Sequence, residues 1–563
     1  MKLKLFIVFL FAALSNGVAQ EKAPENWFNL DQSEDGVPGI SAEKAYRDLL
    51  IGKSSQKVIV AVLDSGVDYE HEDLKDVMWI NEDEIPNNGI DDDNNGYIDD
   101  IHGWNFLGNS NGENVAFANI EMTRMYKMYH KQFENKDTTN LSTQEESDFK
   151  LYKKYGKEIK RKRAKMEEEA IWIGAILQGL QEVKKDIGKE IITLEDLKNY
   201  KSDNQLLFGS AQIMIEWMSE GERFSEVELQ LIETFEYYYE RYQYYYNVDY
   251  DSREIVGDDI NNLEEKVYGN NDVKGPDAEH GSHVAGIIGA TRGNGKGING
   301  VSDNVAIMSV RMLANGDEFD KDVANAIRYA VDNGASIINM SFGKGISPNK
   351  ELVDEAIKYA RKNDVLLIHA AGNENMKNTL DNHFPNDAYE KSGLFSPKFA
   401  DNWIEVGAVD WRGGENLAAE FSNYGANTVD VFAPGVDMYS TVPENQYENH
   451  QGTSMAAPVV AGLAAILRSY FPALKASQVK DVIMLSAQKQ KQKVLKPGTD
   501  KMVTFGQLSV TGGIINAYEA VKLAATVKGK KKISKQNASM ISNDHEKLPP
   551  LTENNMDKTE EGS

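Results

Sequence analysis

Apolar, β-branched runs alternate with helix-period segments along most of the chain. The run V-I-V-A-V-L-D at 58–64 is apolar everywhere except its last position, which predicts a strand buried on both faces. Runs of the same kind recur at 305–313, 336–340, 365–370, 404–409 and 429–432. Helix-period segments near 322–333, 352–363 and 456–470 are interleaved with them. Strands alternating with helices predict an α/β fold, a mostly parallel sheet covered by helices on both faces, with the working site at the strand ends.

The pattern breaks between about 115 and 256, where apolar strands vanish and long, charged, glycine-poor segments take over. This stretch reads as an inserted all-helical subdomain, with long helices over 150–187 and 226–246. The second carries F-E-Y-Y-Y-E-R-Y-Q-Y-Y-Y, an aromatic stripe expected to pack between helices. The insertion is expected to form a cap or arm that limits access to the working site, with a docking surface for a partner or second subunit, through the stretch 237–246, as the alternative. The insertion divides one domain into a first part at 20–114 and a second at 257–527. From 528 to 563 the chain is polar, with Lys528, Lys530, Lys531 and Lys532 followed by an acidic end, and reads as a disordered tail.

At the other end Lys2 and Lys4 precede an apolar run over 5–14, too short to span a bilayer. With small residues Gly17 and Ala19 after it, residues 1–19 read as a signal peptide, so the product is expected outside the cytoplasm, periplasmic or extracellular. No later run is apolar for long enough to span a membrane.

Composition narrows the chemistry. The 563 residues carry a formal net charge of −27, which argues against a nucleic-acid partner. There is no cysteine, which excludes disulfides, thiol catalysis and thiolate metal sites. A catalytic nucleophile must then be an oxygen or a lysine.

Three short motifs supply candidates. L-D-S-G-V-D at 63–68 places Asp64 at the end of a buried strand, before a small turn-forming pair. E-H-G-S-H-V-A-G at 279–286 places His280 before a small-residue helix able to pack close to the sheet. G-T-S-M-A-A-P at 452–458 places Ser454 at the start of an apolar helix, where free amides and the positive dipole end suit an oxyanion. Each alone has a plainer structural reading: a turn cap, a packed histidine, an N-cap.

Taken together and in this order, the three motifs resemble the subtilisin family of serine proteases, over roughly 40–109 and 269–526. Ser282 stands where that family more often has threonine. A-A-G-N-E at 370–374 resembles the strand end whose asparagine completes the family's oxyanion hole, here Asn373. The resemblance implies a serine endopeptidase in which His280 takes the proton of Ser454, Asp64 orients the imidazole, and Asn373 with the Ser454 amide holds the oxyanion. A catalytically silent scaffold that binds through its helical insertion is the alternative. Protein or peptide substrates are expected to lie as an added strand against Ser341, Gly343, Ala371 and Gly372 on one side and 316–319 on the other. There, Asp317, Glu318 and Asp320 form either a solvated acidic loop or a preference for basic substrates. The stretch from Gln20 to Val58 is too short for the separate prodomain that many members carry.

Calcium is the expected structural cofactor, with no organic one. In G-I-D-D-D-N-N-G-Y-I-D-D at 89–100, Asp91, Asp93 and Asn95 alternate before Gly96, as at the start of an EF-hand loop, with Asp99 or Asp100 to close the site. Position twelve is His102 instead of the bidentate glutamate. The family pattern implies a second site at Asp73 and Asn294.

Overall fold

The computed structural model describes residues 22–391 and 397–529, so the signal peptide expected at 1–19 and nearly all of the tail expected at 528–563 lie outside the described residues. Seven parallel strands form the centre: β1 (Val58–Asp64), β2 (Gly103–Asn105), β3 (Val305–Arg311), β4 (Ile337–Met340), β5 (Leu366–Ala370), β6 (Trp403–Val409) and β7 (Val431–Pro434). Their spatial order is β7-β6-β5-β4-β1-β3-β2. Beyond β7, Gly513–Ile514 adds a parallel strand and Gln488–Lys489 an antiparallel one, making nine. β1 pairs with β3 on one side and β4 on the other, so the connections diverge there and leave a crevice at the carboxyl ends. Asp64, in register with Arg311, stands at that crevice.

Helices α1 (Glu121–Phe133), α2 (Thr143–Ile187), α3 (Gln205–Met218) and α4 (Phe224–Glu240) lie between β2 and β3. They are followed by α5 (Glu279–Gly289), α6 (Asp320–Asp332), α7 (Lys350–Lys362) and α8 (Thr453–Tyr470). Period-two alternation assigns the two faces of β1. Val58, Val60 and Val62 enter one core with Val284 and Ile287 of α5 and Val460 and Leu463 of α8. Ala61 and Leu63 enter the other, with Ile327 of α6 and Ile357 of α7. Each such buried aliphatic side chain contributes about 1.5–3 kcal/mol, which is why a strand apolar on both faces must sit mid-sheet. α8 comes close because it is built from small residues. A Cβ on Gly462 would lie 2.5 Å from Val301 Cβ, so any side chain there would push the helix off its neighbours. The first described segment joins the same core through Trp27, Phe28 and Ile40.

The helical segment has a core of its own, with Ile176 and Leu180 of α2 against Met214 of α3 and Val227 and Leu231 of α4. Ser142 and Glu145 cap the start of α2 reciprocally, and Gly188 at φ 66° ends it. Part of the tyrosine stripe packs against a helix, the Arg163 guanidinium lying 5.1 Å from the Tyr242 ring, and part against an extended segment, Tyr244 stacking on Phe117 at 4.2 Å. Tyr237 and Tyr239 are its exposed members.

Candidate active site

Asp64 ends β1 at a turn that only glycine can continue. Gly66 has φ 127°, and a Cβ there would meet the Lys274 carbonyl oxygen at 2.2 Å. Gly281, one residue after His280, serves close approach instead, since its Cβ would lie 2.1 Å from the Gly66 carbonyl oxygen. The start of α5 therefore rests on the end of β1. His280 Nδ1 donates to Asp64 Oδ1 at 2.7 Å, and the Ser65 amide donates to the same oxygen at 2.8 Å. Asp64 Oδ2 is buried with no hydrogen-bond partner among the described residues, so this carboxylate depends on those two donors. Burial disfavours charge on His280, but the field of Asp64 and its hydrogen bond outweigh burial and raise the imidazole above its usual range. The hydroxyl of Ser282 accepts from the Asp68 amide at 2.8 Å, a contact that serine makes as well as threonine would.

Ser454 is the second residue of α8, at its positive end. Its hydroxyl donates to the Ser341 carbonyl at 3.1 Å, while Ser341 Oγ donates to the Ser454 carbonyl at 2.8 Å. Among the described residues no hydrogen bond joins the Ser454 hydroxyl to His280. Asn373 Oδ1 accepts from the Thr453 amide at 2.8 Å and the Thr453 hydroxyl at 2.9 Å. With its oxygen held twice, the amide turns its Nδ2 donor to the cleft, where it and the Ser454 N–H can meet an oxyanion.

These groups open on one cleft of about 330 Å³. Ser341 and Gly343 form one wall, Gly372 and Asn373 the facing wall, and Leu313 to Gly316 a further edge. Ala371 does not face the cleft; Ala370 does. The Ala371 amide donates to Val406, and its carbonyl accepts from the Asn378 and Asn423 side chains, so its backbone is spent inside the fold.

The acidic edge is largely withdrawn from solvent, although Asp317 is half-buried and Glu318 still lines the cleft. Glu318 and Asp320 are 3% and 5% exposed. Lys344 lies between Glu121 at 2.7 Å and Asp320 at 2.8 Å and donates to the Glu318 carbonyl, while Arg124 donates to the carbonyls of Asp317 and Glu318. Burial pushes the Glu318 carboxyl up to about 8. Acidic spacing alone could not show that α1 of the insertion supplies a cation and a carboxylate to cover this edge.

The Peptidase_S8 model, described as the subtilase family, matches residues 55–506. The chain belongs to the subtilase family. Similar proteins include the thermophilic serine proteinase of Bacillus sp. (strain AK1), 42% identical over 191 residues that make up 34% of this chain and 42% of that protein. Subtilisin DY of Bacillus licheniformis is 37% identical over 211 residues, 37% of this chain and 70% of its own. Thermitase of Thermoactinomyces vulgaris is 36% identical over 244 residues, 43% and 75% of the two chains. The chain thus spans less than half the length of the first of these relatives.

In this subtilase the residues of the acidic loop shape its turn, and three carboxylates also converge. Asp91 accepts from the amides of Asn95 and Gly96 at 3.0 and 2.9 Å, and Asn95 Oδ1 accepts from the Tyr97 amide at 2.7 Å, so both shape the turn. Asp99 accepts from the amides of Asn88 and Gly89. Asp93 and Asp100 converge with Glu84, one carboxylate oxygen of each within 4.8 Å of the others, while Asp93 also accepts from the Asn95 amide, Glu84 from the amides of Asp92, Asp93 and Asp99, and Asn95 Nδ2 donates to Asp93 and Asp100. Burial raises Asp100 to about 6. Hard oxygen donors brought together this way suit Ca²⁺, and Glu84 supplies a carboxylate where His102 could not. At the second position Asn294 Nδ2 donates to Asp73 Oδ1 at 2.6 Å, bringing the two implied ligands together.

Sequence reasoning missed three residues at or near these sites. Glu84 lies outside the alternating acidic pattern and carries no spacing signal. Tyr245, which lines the cleft beside His280 and Leu313, was hidden among a stripe of tyrosines. His383, which lines the same cleft, stands in a loop without periodicity.

Proposed function

We propose that the chain is an exported serine endopeptidase, periplasmic or extracellular, that hydrolyses peptide bonds through Asp64, His280 and Ser454 by way of an acyl-enzyme. The observation that carries this reading is the 2.7 Å Asp64–His280 hydrogen bond in the cleft that also holds Ser454 and the oriented amide of Asn373. His280 removes the Ser454 proton as the oxygen attacks the carbonyl carbon. The Ser454 amide and Asn373 stabilise the negative oxygen. The imidazolium, held by Asp64, then protonates the leaving amine, and water repeats the cycle on the ester. Among the described residues no helix is long and apolar enough to cross a membrane. The deciding experiment is labelling by a fluorophosphonate probe, with labelling lost in Ser454→Ala; an unlabelled wild-type protein would overturn the reading.

The same reading includes structural calcium, held by Glu84, Asp93 and Asp100 at one site and by Asp73 and Asn294 at the other. The ion would cancel repulsion between convergent carboxylates in a chain that has no disulfide to stabilise it.

A further inference from the structure

We propose that His383 fills the slot that receives the substrate side chain just before the scissile bond, so that this enzyme cleaves after small residues: alanine, glycine or serine. The inference rests on the endopeptidase reading above and narrows it to a substrate class. An acyl group on Ser454 with its oxygen at Asn373 must send its side chain between the edge that ends at Gly343 and the edge that runs through Gly372. Both positions are glycine, and the imidazole of His383 lies against both. A Cβ on Gly343 would lie 2.5 Å from His383 Cε1, and a Cβ on Gly372 would lie 2.5 Å from Asn423 Nδ2, 2.6 Å from Glu374 Oε2 and 3.1 Å from His383 Cε1. The ring thus meets both edges as the floor between them, and it lines the cleft together with Glu374. Leucine, phenylalanine, lysine or glutamate entering there would have to displace it.

The floor is held from below and does not swing freely. His383 is 7% exposed. Its Nε2 donates to the Ala370 carbonyl at 2.9 Å and lies 3.5 Å from Glu405. Glu405 is fixed in turn by Trp403 Nε1 at 2.9 Å and His369 Nδ1 at 3.0 Å. The Asn386 amide anchors the His383 carbonyl at 2.9 Å. Burial keeps the imidazole neutral, since it lowers the His383 pKa and outweighs the opposing field of Glu405. Close packing makes the cost of an oversized side chain large relative to the gain from its burial.

The test is kcat/KM on the p-nitroanilides of succinyl-Ala-Ala-Pro-Ala and succinyl-Ala-Ala-Pro-Phe, with enzyme concentration set by fluorophosphonate titration so that a misfolded fraction is not counted. The wild type is expected to prefer alanine at least tenfold. His383→Gly is expected to shift the phenylalanine-to-alanine ratio at least tenfold toward phenylalanine, with His383→Ala intermediate. Mass spectrometry of denatured-casein digests by the wild type, which needs no variant, should show cleavage mainly after alanine, glycine and serine. A titratable wild type that prefers phenylalanine, or a titratable His383→Gly with an unmoved ratio, would overturn the proposal while leaving the endopeptidase reading intact. A wild type with no titratable serine would overturn both.

Discussion

His280 Nδ1 lies 2.7 Å from Asp64 Oδ1 although 216 positions and four long insertion helices separate them along the chain. The two elements meet because Gly66 and Gly281 let backbone touch backbone, not because the sequence brings them near. This contact places the proton on Nδ1, and the proposed mechanism assigns Nε2 to the Ser454 proton.

Ser454→Ala, His280→Ala and Asp64→Ala are each expected to abolish casein hydrolysis, by roughly 10⁴-fold or more on the scale known from subtilisin itself. Combining them should add little, because one proton path is lost in every case. Turnover close to wild type in any single variant would end the assignment.

The acid limb of kcat/KM should lie above 6.5, the ordinary histidine value, because burial is outweighed by Asp64 and the His280 pKa is raised. The sign is set by the base: only neutral imidazole accepts the Ser454 proton, so activity rises with pH through the raised value and is lost below it. A pH–rate profile with its acid limb below 6.5 would contradict the geometry.

Asn373→Ala should reduce kcat by about 10²–10³ with little change in KM, again the scale known from subtilisin. The donor serves only the developing oxyanion, so ground-state binding does not depend on it. Steady-state kinetics on one peptide substrate separates the two constants.

Calcium should raise the melting temperature of the Ser454→Ala protein, which cannot digest itself. At a hundredfold excess over the dissociation constant the ion would add about 2.7 kcal/mol. Glu84→Gln/Asp93→Asn should remove most of the difference between calcium and chelator. If neither chelator nor the double substitution moves the melt, the loop is a turn and nothing more.

Arg124→Ala should destabilise the catalytic domain by about 3–5 kcal/mol, the size expected when one partner of a buried ion pair is removed. The guanidinium pairs with Glu121 at 2.5 Å, lies 4.0 Å from the Phe319 ring and binds the carbonyls of Asp317 and Glu318, so its loss leaves Glu121 with Lys344 alone and the cleft edge short of a partner. Urea unfolding of Arg124→Ala in the Ser454→Ala background reads this directly. An effect below 1 kcal/mol would mean that α1 is a passive appendage.

The residues that make chemistry and layers were legible in the chain itself. Val58 to Leu63 are apolar on both faces, which forces a central strand. Asp64, His280, Ser454 and Asn373 each stand in a motif whose neighbours, glycines and small residues above all, are there to permit close approach. What the tertiary structure alone decided depends on contacts between segments far apart in sequence. Asp317, Glu318 and Asp320 read as either a solvated loop or a preference for basic substrates because burial is not a property of a short acidic run, and Lys344 and Arg124 from distant elements make the burial of Glu318 and Asp320 tolerable. Asp91 and Asn95 share the acidic spacing of Asp93, yet the carboxylate that joins Asp93 and Asp100 is that of Glu84, which lies outside the pattern and is held by the amides of Asp92, Asp93 and Asp99. Tyr245 and His383 carry no local signal at all. Each reaches the cleft because another element holds it there: the Thr123 hydroxyl donates to the Tyr245 carbonyl at 2.7 Å, and the Ala370 carbonyl accepts from the His383 ring. Periodicity and motif report what a segment does to its own neighbours in the chain, whereas the shape of the substrate slot is set by which side chains distant segments push into it.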